Sequence, residues 1–248
     1  PLLDADAIDA RLDAVGELHS ESILREELRD ALDGIRDVER LSARVATQSA
    51  NPRDLKALAI SIGRLPQLAN LLGHTRSPLF APLRQIDNAL QDLSSHMLQA
   101  LVDSPPPKIQ EGGIFADDFH PELDELRQLI TGGKDWIKAL ENSERERTGV
   151  KSLKVGFNKT FGYFIEVTHA NTSEVPADYV RKQTLTNAER YITPALKEKE
   201  AAVLNADEQI KKLEYQLFVQ LRDRIIPFVP ALQSISYEVA QLDALASL

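Results

Sequence analysis

Between Gly149 and Thr193 the spacing of apolar residues changes from a helical to an extended period, with helical sequence on either side, and this change narrows the architectures open to the chain. In GVKSLKVGFNKTFGYFIEV, residues 149–167, Leu153, Val155 and Phe157 alternate with Ser152, Lys154 and Gly156, while Tyr163, Ile165 and Val167 alternate with Phe164, Glu166 and Thr168. A period of two puts successive side chains on opposite faces of a strand. The five residues Asn158 to Gly162 can close a hairpin between the two runs. A third extended run, Tyr179 to Leu185, follows the turn at Pro176, which makes a small antiparallel sheet. On this pattern Lys154 and Asn158 share a face while Leu153, Val155 and Phe157 pack inward. In the third run Lys182, Thr184 and Thr186 share one face, and Arg181, Gln183 and Leu185 share the other.

The flanks read as helices. Ile8, Leu12, Val15 and Leu18 recur at three- and four-residue steps, and Ile23, Leu24, Leu28, Leu32 and Ile35 repeat the pattern. Asn51-Pro52 is an N-cap followed by proline at the first helical position, opening a helix that carries Leu55, Leu58, Ala59 and Ile62 up to Gly63. Ser77-Pro78 begins another approach, and Ile86, Leu90, Leu93, Met97 and Leu101 form one longer stripe. Such helices pack as a bundle. The run Asp103 to Pro107 stops helix formation, because proline lacks an amide donor and pushes its predecessor out of the α region. Helical spacing resumes after His120-Pro121, with a bend expected at Gly132-Gly133. After the sheet, Thr193-Pro194 starts a helix of about thirty residues, longer than a compact domain needs. One helix leads to the sheet and another leads back, so the sheet is read as an insertion held on two helical arms.

The formal net charge is −9, which argues against a protein that coats nucleic acid over its whole surface. Between Gly149 and Arg190, however, Lys151, Lys154, Lys159, Arg181, Lys182 and Arg190 face Glu166, Glu174, Asp178 and Glu189, a local balance of +2 that leaves −11 elsewhere. That asymmetry suits a local polyanion contact, and it also suits a solvated hairpin with ordinary surface lysines. Enzyme signatures are poor. Gly156-Phe157-Asn158-Lys159-Thr160 has asparagine where a phosphate-binding loop needs glycine, and it lies in a hairpin instead of between strand and helix. The five histidines lack metal-ligand spacing, and with no cysteine there is no thiol nucleophile or cysteine zinc site. No apolar run approaches the length of a bilayer span, and the acidic amino terminus is unlike a secretion signal.

The stretch KSLKVGFNKTFGYFIEVT, followed by VPADYVRKQTLTNAERYITPALKE, closely resembles the clamp segment of the MutS family of DNA mismatch-repair proteins. PLLDADAIDARLDAV and IRDVERLSARVATQSANPRDLKAL resemble the family's core and lever helices, and the likeness is colinear over essentially the whole chain. It implies a mainly α fold, a helical bundle whose two long lever helices carry a small antiparallel β clamp (α+β). The corresponding domains are a discontinuous core and lever, residues 1–118 and 199–248, and a clamp, residues 119–198. By motif match, contact with the DNA backbone falls to Lys151, Lys154, Asn158, Lys159, Lys182, Thr184, Thr186, Asn187 and Arg190. Many relatives carry lysine where this chain has Thr186.

Phe157, Tyr163, Phe164 and Tyr191 are assigned to the sheet core, and Arg11, Arg36, Glu39 and Arg40 to core ion pairs. Phe164-Ile165-Glu166 spells the Phe-x-Glu wedge with which the family probes mismatches, but inside a clamp strand it is read as coincidence. The resemblance further implies a noncatalytic piece of a longer protein. The mismatch reader, the connector and the ATPase, with its ATP and Mg, lie in the part not represented. Double-stranded DNA, a second MutS copy and a MutL-type protein are the implied partners, in a bacterial cytoplasm at the nucleoid. Two other readings are a helical protein-interaction scaffold and, more weakly supported, a hydrolase using helix carboxylates.

Overall fold

A computed structural model describes residues 3–158 and 160–248. The helical and extended segments divide into two compact units, Pro1–Phe119 with Glu214–Leu248, and His120–Leu213.

The first unit contains α1 (Ala5–Ser20), α2 (Ser22–Asp33), α3 (Val38–Ala46), α4 (Pro52–Leu72) and α5 (Asn88–Ala100). Several of its helices start where a side chain takes up a free amide. Asp37 accepts from the Arg40 N–H, Asp87 from the Ala89 N–H, and Asn51 and Asp54 form a reciprocal capping box. Contrary to the expected stop at Gly63, α4 continues through both Gly63 and Pro66 to Leu72. Leu65, Leu68 and Leu72 are all fully buried. Burial of roughly 1.5–3 kcal/mol for each leucine outweighs the ~3 kcal/mol cost of an internal proline. Ser94 of α5 donates its hydroxyl to Ala59 O at 2.7 Å, and its oxygen would lie 3.1 Å from a Cβ placed on Gly63, so the missing side chain lets α5 approach. The chain then crosses a short bridge between Leu101 and Phe115.

The second unit opens with α6 (Pro121–Thr148), which runs without interruption where a bend was expected at Gly132-Gly133. A Cβ on Gly133 would lie 2.4 Å from Cγ2 of Val203, so glycine here serves close helix packing rather than a break. Val203 belongs to α7 (Pro194–Ile225), a 32-residue helix capped by Thr193, whose hydroxyl oxygen accepts from the Leu196 N–H at 3.2 Å. Residues of α7 fall in both units, and α8 (Val229–Ser247) completes the first.

Between α6 and α7 in sequence lie four strands instead of three: β1 (Lys154–Asn158), β2 (Gly162–Thr168), β3 (Val180–Thr184) and β4 (Ala188–Ile192). They form one antiparallel sheet in the order β1-β2-β4-β3. The missed strand, AERYI, has an alanine and two charges among five residues, which conceals its alternation. One sheet face supplies Leu153, Ile165, Val167 and Tyr191 to a core with Ile137 and Leu140 of α6 and Leu196 of α7. Among the described residues, no helix is long and apolar enough to cross a membrane.

Candidate nucleic-acid interface

The β1–β2 hairpin is held to both helices through its backbone. Glu141 of α6 accepts from the Val155 N–H at 2.8 Å, and Glu200 of α7 accepts from the Tyr163 N–H at 2.8 Å. Each carboxylate has a cationic partner on its own helix, Arg145 for Glu141 at 2.7 Å and Lys197 for Glu200 at 2.5 Å. Arg145 also donates to Leu153 O at 2.7 Å. Charge-assisted bonds of this kind are stronger than neutral ones and fix strand position against helix. No sequence signal separated Glu141 and Glu200 from the many acidic residues on helix surfaces.

The sheet places the expected contact residues unequally. Lys151, Lys154, Lys182, Thr184, Thr186 and Asn187 are exposed. Lys159 lies outside the described residues. None of Lys151, Lys154 and Lys182 forms an ion pair with another described residue, although Glu166 lies opposite Lys154 in the sheet register. Asn158 has a structural task as well, since its side-chain oxygen accepts from the Thr160 N–H at 2.8 Å and shapes the hairpin turn. Arg190 is the most engaged of the set. Its Nε lies 2.9 Å from Glu166 Oε2, its Nη1 donates to Gln183 at 3.1 Å, and its guanidinium sits 4.0 Å from the centroid of the Phe164 ring.

Two expectations about the faces need correction. The register shifts between Arg181 and Gln183, so Arg181 lies opposite Tyr191, Gln183 opposite Arg190 and Thr184 opposite Glu189. Arg181 and Thr184 therefore share a face, and Lys182 is the extra residue of a bulge. Phe157, expected in the core, is 54% exposed, whereas Phe164 and Tyr191 are buried and Tyr163 is partly so. Phe157 is near the far end of β1, and its ring meets that of Tyr163 at 4.9 Å between centroids. Phe164 is covered instead by Arg190 and fills the space left by Gly156, where a Cβ would come within 2.7 Å of its ring.

The turn between β3 and β4 presents Thr186 and Asn187. His169 clasps that turn, its backbone N–H donating to Asn187 O at 3.2 Å and its ring Nε2 bonding Leu185 O at 2.9 Å. Nothing in the local pattern connects His169 with residues sixteen to eighteen positions later. This turn offers a hydroxyl and a side-chain amide, donor types that phosphate oxygens accept, and the nearest ammonium in sequence is that of Lys182 on β3. Among the described residues there is no group of three or more His, Cys, Asp or Glu that could hold a metal ion.

Residues 118–209, which include the entire sheet, match the model of MutS family domain IV. Similarity also extends over the whole chain. It is 49% identical over 248 residues to the DNA mismatch repair protein MutS of Halothermothrix orenii. The chain belongs to the MutS family. It is 47% identical over 248 residues to the protein of the same name from Synechococcus sp. strain JA-2-3B'a(2-13), and 50% identical over 247 residues to that of Symbiobacterium thermophilum. In each comparison the whole of this chain is covered, and it spans 28% of the relative's length.

In this MutS family chain two tyrosines behind the sheet make stability sensitive to alkali. Burial, then the hydrogen bond to Glu189 at 2.5 Å, pushes the Tyr191 hydroxyl up to about 12. Tyr179 is also raised, by burial and then by its bond to Glu144. An unfolded tyrosine ionises near pH 10. The folded state therefore holds these protons longer, and the stability they confer is complete below about pH 10 and lost as pH rises through about 12. Urea unfolding across that range should show the decline, with a shallower slope in Tyr191→Phe; an unchanged slope would rule out the linkage.

Proposed function

We propose that this chain is a clamp for the sugar-phosphate backbone of double-stranded DNA, binding without reading sequence and without hydrolysing nucleotide itself. The observation that carries the proposal is the set of exposed, unpaired Lys151 and Lys154 at the β1 border and Lys182 at the β3 border, the latter close in sequence to Thr184, Thr186 and Asn187, on a sheet whose position is fixed by Glu141 and Glu200. The relatives' name, DNA mismatch repair protein MutS, supports the same target. In the longer protein, the helical residues 1–118 and 199–248 would act as core and lever and couple the grip of residues 119–198 to an ATPase elsewhere. ATP and Mg, a second copy and a MutL-type partner would belong to that whole protein, working in the cytoplasm.

Counterion release gives the test. If the sheet neutralises about three phosphates, the affinity for duplex should fall with salt with a log–log slope near −2.7. Replacing both Lys154 and Lys182 by glutamine should flatten it to about −0.9. Arg190→Lys should lower the melting temperature through loss of the Phe164 and Glu166 contacts but leave the slope unchanged. Matched and mismatched duplexes should bind alike. A slope indifferent to Lys154 and Lys182, with capture of a protein but not of duplex, would favour the interaction scaffold; a strong mismatch preference would contradict the backbone clamp.

A further inference from the structure

We propose that the helical unit carries a second, independent site, an anion pocket for a small phosphorylated ligand taken through Arg36, Arg53, Lys56 and Arg64. These four cations line one cavity of about 440 Å³, with Asp103 as its only acidic wall. Core ion pairing was expected for Arg36, and no described carboxylate pairs with it. Arg40 does pair with Asp37, at 3.6 Å, but on the surface.

The cavity is built from three chain segments that specific bonds hold in place. The turn between α2 and α3 is fixed by the Arg36 N–H donating to Ser61 Oγ at 3.0 Å. Arg53 on α4 donates its Nε to Pro105 O at 3.0 Å, which leaves its terminal amino groups uncommitted. Lys56 forms the floor, with a side chain only 11% exposed. Its ammonium reaches Leu101 O at 3.1 Å and Asp103 Oδ1 at 3.5 Å, while the Asp103 side chain is itself fully exposed. An ammonium has three donors, and with Leu101 O and the exposed Asp103 carboxylate taken, one remains for a ligand. Arg64 completes the rim. Its guanidinium rests on the backbone of Gly34, and its Cζ lies 2.5 Å from where a Cβ on that residue would be.

Several cations around one small volume suit a group with more than one charge on one centre and oxygens pointing in several directions. Phosphate has that form, whereas a carboxylate is planar and singly charged. A long polyanion is disfavoured, because this unit sets 14 Lys and Arg against 23 Asp and Glu. Ile60, 41% exposed, and Pro105 offer an apolar wall to the organic part of such a ligand.

Calorimetric titration of pyrophosphate and of ADP into the 248-residue chain at low salt tests the site. One-to-one saturable binding is expected, tighter for ADP. Arg36→Gln and Arg64→Gln should each weaken it about ten-fold, the loss of one charge-assisted bond. Gly34→Ala should do the same by displacing the Arg64 head, since φ of −78° at Gly34 is open to alanine. Lys154→Gln should bind as the parent does. Absence of saturation at millimolar ligand, equal binding in the arginine variants, or tighter binding of an aspartate-rich peptide would each overturn the proposal. Because Arg64 is exposed, its variant remains informative even if Gly34→Ala folds poorly.

Discussion

Replacing Gly162 with alanine is expected to destabilise the unit spanning residues 120–213 by about 3 kcal/mol or more. Two independent penalties meet at this position. Its φ is +78°, a left-handed conformation that costs an L-residue roughly 1–2 kcal/mol. An added Cβ would also overlap Glu200, coming 2.7 Å from the carboxyl carbon. Glu200 cannot swing aside at little cost. It is 4% exposed, one oxygen accepts the Tyr163 N–H and the other binds Lys197. Displacing it leaves a buried amide and a buried carboxylate poorly paired, at roughly 1–3 kcal/mol for each. Urea unfolding of the single variants and of Gly162→Ala with Glu200→Ala separates the penalties. The pair should cost less than the sum of the singles, because removing Glu200 removes the clash. A loss below about 1 kcal/mol in Gly162→Ala, or strict additivity, would show that the hairpin is not seated as described.

Glu144→Ala is expected to cost about 3 kcal/mol, and Tyr179→Phe only about 1 kcal/mol. One oxygen of Glu144 accepts the Tyr179 hydroxyl at 2.7 Å and two nitrogens of Arg147 at 2.7 and 3.0 Å. Arg147 in turn holds Asp178 through bonds of 3.2 and 3.1 Å, tying the end of α6 to the segment that enters β3. Removing the carboxylate strands the hydroxyl of Tyr179, which is only 8% exposed, and weakens the hold on that segment. Removing the hydroxyl instead leaves Glu144 with its arginine, so no buried group is orphaned. Thermal melts of the two variants should therefore differ clearly; equal losses would mean that the contact, and not the stranded group, sets the cost.

The sequence made the alternation of β1 and β2 legible because Ile165 and Val167 face the core over the helices, although Phe164 on the other face is buried as well and Phe157 is not. The start of α4 was legible for a different reason, as the caps Asn51 and Asp54 act over three residues. What escaped was decided at longer range. Gly132-Gly133 has the composition of a bend, but the close approach of Val203, seventy residues later, makes a glycine the fitting residue within a straight helix segment. The bulge at Lys182 depends on how β3 meets β4, and that strand was itself hidden by Glu189 and Arg190. At the candidate interface the residue types could be named from the motif. Their division could not, since the separation of free Lys154 and Lys182 from the engaged Arg190 follows from the neighbours of each in the folded sheet.

The strand order leaves β1 and β3 on the two borders of the sheet, and such borders can recruit another chain and grow into aggregates. On the β1 border the Val155 amide is already occupied by Glu141, and the β3 border is irregular at Lys182 and carries Arg181 beside it. Like charges and a broken ladder oppose the docking of a second copy edge to edge. Lys182 thus also guards the β3 border, and neutralising it would leave that edge more open to pairing with a second strand.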